Sequence, residues 1–214
     1  MCDQGRLIDE KYWKVDYTDR ISLHNWMTEH KLYWESRFYI GLFGSMYFFG
    51  FAFHGLLLKL SDYFGRVMLI RVVAFIHIIL TLLMYVVQDY DYYYVLYFLI
   101  GITAAKLICI LIYANEISTE KYRILMSSLV CIFDNWFVTI TSSIYFMLGG
   151  KNWRHLTIAA PVFWIIGVVC SFFAYESPKY LHARGKYNEL INYINESARQ
   201  NGKDFRIEQN ITLI

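Results

Sequence analysis

The chain has 214 residues, of which 57% are hydrophobic and 19% aromatic, with only two prolines. Soluble domains average nearer half apolar, so the composition points to a membrane. A formal net charge of +2 is too balanced to suggest a nucleic acid or polyanionic partner.

Residues 1–37 mix Asp, Glu, Lys and Arg without the apolar core of a signal peptide, and are too acidic for a transit peptide. They alternate charged and aromatic residues, among them Tyr12, Trp13, Tyr17, Trp26, Tyr33 and Trp34. So aromatic a segment is expected to pack on a partner or fold over the rest of the chain. Cys2 is the one cysteine in it. Cys109, Cys131 and Cys170 sit in apolar runs, so no disulfide and no oxidising compartment is required.

Five apolar runs follow, each near the roughly 20 residues that a helix needs to cross a bilayer. They cover about 38–58, 67–87, 92–113, 124–148 and 156–175. The links LSDYFGR, QDYDYY, ANEISTEKYR and GGKNWRH are short, so consecutive helices must run antiparallel as neighbours. The reading is an all-α, polytopic membrane helix bundle over 38–176. A polar segment, 1–37, precedes it, and inner-face amphipathic helices and a tail, 177–214, follow. In that tail, SPKYLHARGKYNELINYINESAR predicts one short helix, a break near Gly185, and a second helix with Leu190, Ile191 and Ile194 on one stripe. The last residues, DFRIEQNITLI, are apolar enough to dock.

Lys and Arg number eleven on the face holding LSDYFGR and eight on the other, and QDYDYY carries none. The LSDYFGR face is therefore expected to be the inner one. Gly-rich phosphate loops, HExxH, CxxC and other metal-ligand spacings do not occur. His24, His30, His54, His77, His155 and His182 are scattered and read as structural or solvated. No enzyme chemistry, metal or cofactor is expected.

Four motifs in order resemble the major facilitator superfamily, most closely its organic cation, anion and carnitine branch and its sugar porters. LSDYFGR resembles the loop between the family's second and third helices, and ANEISTEKYR the loop after its fourth. Trp153-Arg154 with YESPKYLHARGKYNEL is similar to the end of the sixth helix and the tail beyond it. MTEHKLYWESRFYIGLFGSMYFFGF is similar to the entry into the second helix. The resemblance implies five transmembrane helices equivalent to helices 2–6, without the first helix or the C-terminal half. It also implies that Asp62, Gly65, Arg66, Glu116, Arg123 and Glu176 belong to an inner-face charge network that latches the two transporter halves. Leu58, Val67 and Glu120 stand where the family has a glycine, a basic residue and a proline.

Read without the family, Gly65 permits the tight turn, and Asp62 is placed to cap the next helix or to accept from Arg66. Lys106 and Asp134 lie inside the third and fourth runs, each roughly 15 Å from the same surface at ~1.5 Å per residue. A charge at the centre of a membrane helix costs about 3 kcal/mol, so an ion pair between them is expected. The alternative is a vestigial substrate or proton site. His77 is expected to be a hydrogen-bonded core residue. Gly41, Gly44, Gly101, Ala104, Ala105 and Thr141-Ser142-Ser143 supply small residues for close helix packing.

These expectations converge on a transporter-derived structural or accessory subunit of a larger membrane complex, such as a respiratory-type assembly of the mitochondrial inner membrane. Its partners would be other membrane-protein subunits and lipids, with no transport of its own. The alternative is part of an organic-ion or sugar-type solute carrier completed by other chains or a longer product, whose partner would be a small organic solute.

Overall fold

The computed structural model describes residues 16–19, 22–87, 89–203 and 206–207. The expectations for Cys2, Tyr12 and Trp13 lie outside them, as does the docking of the tail apart from Arg206 and Ile207. Among the described residues, five stretches are long and apolar enough to cross a membrane, and they extend the sequence-predicted runs at most ends. Long apolar runs become helices because hydrocarbon offers the backbone no other hydrogen-bond partner. The protein is thus an all-α bundle with the stamp of an integral membrane protein.

Two of the five spans are broken. The first consists of α2 (Arg37–Phe51) and α3 (His54–Phe64), and the third of α5 (Tyr90–Ala104) and α6 (Lys106–Ile117). Between them runs the unbroken α4 (Arg66–Val86), and α7 (Glu120–Met147) and α8 (Trp153–Ser171) complete the set. A single turn, α1 (Trp26–Glu29), precedes the bundle, and α9 (Pro178–Ala183) and α10 (Tyr187–Gln200) follow it.

The breaks flank a reciprocal crossing of α2 and α5, the most extensive helix contact in the fold. A Cβ on Gly50 would lie 2.0 Å from the Phe98 carbonyl oxygen, and one on Gly101 would lie 2.1 Å from that of Tyr47. Each glycine therefore admits the other helix's backbone, as small residues do in membranes. Close by, the ladder tightens: Phe53 N–H donates to Gly50 O at 3.1 Å and Ala105 N–H to Ile102 O at 3.3 Å, both three residues back. The expectation that Gly41 and Gly44 bring helices together is not met, since a Cβ at either meets nothing within 4 Å. They share α2 with Gly50 but face away from α5.

The core forms where α2, α4 and α5 meet, with Phe43, Leu80, Met84, Tyr93, Leu96 and Ile100 buried there. A second cluster of Leu69, Val73 and Cys109 joins α4 to α6. Helix α4 also packs on α8, whereas α7 leans chiefly on α6. Below the bundle, α9 ends at Ala183, and Gly185, with a φ of +67°, turns the chain into α10. Leu190 and Ile191 of α10 are buried.

Candidate functional site

At the membrane end that carries LSDYFGR, three helix termini converge, and each is satisfied by a side chain from elsewhere in the chain. Helix α3 continues to Phe64 and α4 begins at Arg66, so the link is Gly65 alone. Its φ of +110° suits only glycine, and a Cβ would lie 2.7 Å from Glu176 Oε2. That carboxylate occupies the start of α4. Arg66 N–H donates to Glu176 Oε1 at 2.7 Å and Val67 N–H at 3.1 Å. A carboxylate here satisfies amides that the helix itself leaves unpaired and meets the positive end of its dipole.

The other two termini are carbonyl ends. Arg184 donates to the carbonyls of Asp62 and Tyr63 at 3.2 and 2.7 Å, and Tyr180 adds a bond to Tyr63 at 3.2 Å, closing α3. Arg71 donates to the Ser171 carbonyl at 2.5 Å and lies 4.9 Å over the Phe172 ring, closing α8. Cations suit both ends for the same electrostatic reason.

Arg66 is the hub. Its guanidinium bonds Asp62, reaches Ser61 Oγ at 2.8 Å, and meets Glu116 through two bonds of 3.3 Å. Glu116 in turn accepts from Ser177 Oγ at 2.6 Å. The arrangement exploits the two-pronged geometry that distinguishes arginine from lysine. Arg66 and Glu116 are largely shielded, with side chains 14% and 11% exposed, so neither can be left unpaired cheaply.

The structure thus brings together Asp62, Gly65, Arg66, Glu116 and Glu176. Arg123 does not join them: it lies exposed on the first turn of α7 and bonds none of them. Asp62 accepts from Arg66 but does not cap α4, because Glu176 already holds that place. Sequence reasoning missed Ser61 and Ser177, both fully buried, and the capping roles of Arg71 and Arg184. A serine two residues before Lys179 and one four residues before Gly65 carry no signal of their own, since what recruits them is a charge brought from afar by the fold.

The ion pair expected between Lys106 and Asp134 is not formed within 4.0 Å. The Lys106 ammonium lies 3.9 Å from the centre of the Trp164 ring and donates to Thr103 O at 3.5 Å. The indole face substitutes for an anion. Asp134 faces a groove of about 490 Å³ between α6, α7 and α8, whose lining includes Trp164, Phe133, Phe163, Val138 and Ala160. His77 donates or accepts a 2.8 Å bond with Thr103 Oγ1, with the Trp164 ring edge-on at 5.7 Å. It is a hydrogen-bonded core residue, as the sequence suggested.

The opposite membrane end is closed differently. Residues 22–36 fold over it: Leu32 is buried against the core, Trp26 meets Phe43 at 5.1 Å, and His30 meets Tyr93 at 4.9 Å. A short parallel bridge forms as His24 N–H donates to Lys151 O and Trp153 N–H to His24 O. Glu29 accepts from the Trp153 indole at 2.9 Å and pairs with Arg154. Asn25 and Thr28 hold α1 with a reciprocal cap.

A family profile described as "Sugar (and other) transporter" matches residues 9–213. The human organic cation/carnitine transporter 2 is 26% identical over 191 residues, 87% of this chain and 34% of that protein. The mouse solute carrier family 22 member 21 is also 26% identical, over 78% of this chain and 28% of its own length. The rat organic cation/carnitine transporter 2 matches at the same identity over 87% of this chain and 34% of itself. The chain spans about a third of the length of these relatives.

Proposed function

Because the chain belongs to the sugar and other transporter family, we propose that it acts as an accessory part of a larger membrane assembly and does not move solute alone. The observation that carries this reading is α7. None of the described residues in the apolar window of α7 is buried, and the groove beside it is lined by Asp134 at membrane depth. An uncovered carboxylate in hydrocarbon is costly, at about 3 kcal/mol or more, so the face calls for further membrane helices to cover it. Alternating access also requires two helix bundles that rock about a midplane site, and the five described spans make a single bundle.

The test is purification from native membranes in mild detergent. Unrelated membrane subunits should co-migrate with the chain, and liposomes holding the chain alone should show no solute flux. Flux from the chain alone would overturn the reading. Fractionation should place the assembly with mitochondrial inner-membrane markers, as the sequence reading expects.

A second reading is supported by the lining of the groove. Asp134 beside the Phe133 and Phe163 rings offers a carboxylate and aromatic surface to a small organic cation. Two of the relatives described above are named for organic cations and carnitine. Under this reading the chain is one piece of a solute carrier. Its co-purifying companion should then resemble the remainder of the family's chain, and carnitine should raise the thermal midpoint of the assembled pair.

A further inference from the structure

A buried cation stands behind one wall of the groove between α6, α7 and α8. Asp134 is the one charged residue among those lining that groove. Lys106, only 2% exposed, does not line it, but Trp164 does, and the Lys106 ammonium lies 3.9 Å from the centre of that indole. We propose that Lys106 is a specificity-determining residue of the groove: its charge behind Trp164 repels small organic cations that Asp134 would otherwise hold. This role rests on the second reading above, in which the groove takes such a cation.

Lys106 opens α6, just past the break at Ala105 that follows α5. A cation has the wrong sign for the start of a helix, so its own helix does not hold it. The ammonium turns back to the last turn of α5, where Thr103 O accepts a bond of 3.5 Å, long for a charged donor. Thr103 Oγ1 is already engaged with His77 at 2.8 Å. Among the described residues no carboxylate pairs with Lys106. The Trp164 ring is therefore the main partner of a charge that does not reach water.

A ring attracts cations through its quadrupole, and an indole that already holds one cation is a poor partner for a second. A ligand cation at a similar height on the groove side of Trp164 would lie roughly 8 Å from Lys106. At an effective dielectric constant of about 20, repulsion over that distance amounts to at least about tenfold in affinity. It opposes the attraction that the same ligand feels toward Asp134. The groove therefore binds organic cations weakly, and the lysine sets how weakly.

The test uses the full chain in an uncharged detergent, with binding read by ligand-observed NMR titration. The probes are choline and dimethylbutanol, its uncharged carbon isostere. Lys106→Met and Lys106→Gln remove the charge in two shapes, so that one serves if the other does not fold. Either should bind choline about tenfold more tightly than the wild type, with affinity for the isostere unchanged. Lys106→Arg, which keeps a cation over the ring, should show no such gain. Adding Asp134→Asn to Lys106→Met should abolish it. Choline affinity unchanged in the neutral variants, or an equal gain for the isostere, overturns the proposal while the groove still takes cations. No choline binding by any variant removes the organic-cation reading itself, and this role of Lys106 with it.

Discussion

Helices α4 and α7 are both long and apolar, yet 44% of the apolar window of α4 is buried within the chain and, among the described residues, none of that of α7. Helix α4 is also the more apolar of the two, but apolarity alone does not drive helices together in lipid. The difference comes from termini and small residues. Helix α4 begins on the Glu176 carboxylate, sends Arg71 to the end of α8, and lies against the α5 helix that Gly50 and Gly101 draw close. Helix α7 is tied only to its neighbours in sequence among the bonds described: Ser127 donates to Asn115 of α6, and the Tyr145 hydroxyl bonds Asn152 and His155 at the start of α8. In lipid, where apolar surface gains little by meeting apolar surface, such local devices decide which helices pack.

That contrast predicts where substitutions will hurt. The largest effect is expected at the α2–α5 crossing. Gly101→Leu should destabilise the bundle by about 3 kcal/mol or more, because its side chain meets backbone that cannot move aside. Thermal unfolding in detergent should show this, and Gly44→Leu should leave the midpoint nearly unchanged. Equal sensitivity at both glycines would remove the crossing from the account.

Arg66→Ala comes next, at about 2–3 kcal/mol, since it strands Glu116 in a largely shielded site. Arg66→Lys should recover only part of the loss, because one ammonium cannot supply both bonds to Glu116. A full recovery would show that charge alone matters there. At the other end of the bundle, Glu29→Ala should cost about 1 kcal/mol, with the half-exposed Arg154 contributing little and the Trp153 indole most of it. Faster protease cleavage within residues 22–36 is the readout.

Smallest in stability is Asp134→Asn, expected within about 0.5 kcal/mol for the purified chain. Its effect should appear in company: the amount of co-purifying membrane protein should fall. A variant that unfolds the chain yet keeps its companions would reverse the roles assigned to α4 and α7.

Much of this was legible in the sequence. The five runs, the antiparallel links, the break at Gly185, and the charges Asp62, Arg66, Glu116 and Glu176 all follow from apolar length and motif spacing. What was not legible depends on partners without a sequence signature. Arg71, Arg184 and Tyr180 bond backbone carbonyls, which every residue possesses, so no pattern announces them. Lys106 appeared to need Asp134 because charge suggests opposite charge, whereas the fold offered the face of Trp164 58 residues away. Gly50 and Gly101 stand apart from Gly41 and Gly44 only once the crossing of α2 and α5 is known.

The single-residue link at Gly65 leaves no slack between two membrane helices. One inserted residue would turn α4 about its axis by roughly 100°, since an α-helix has 3.6 residues per turn. Val73 and His77 would swing toward lipid, and Arg71 would leave the end of α8. Natural variation in length, tolerated at most surface connections, is therefore barred here, and the register of the whole third of the bundle is set by one peptide unit.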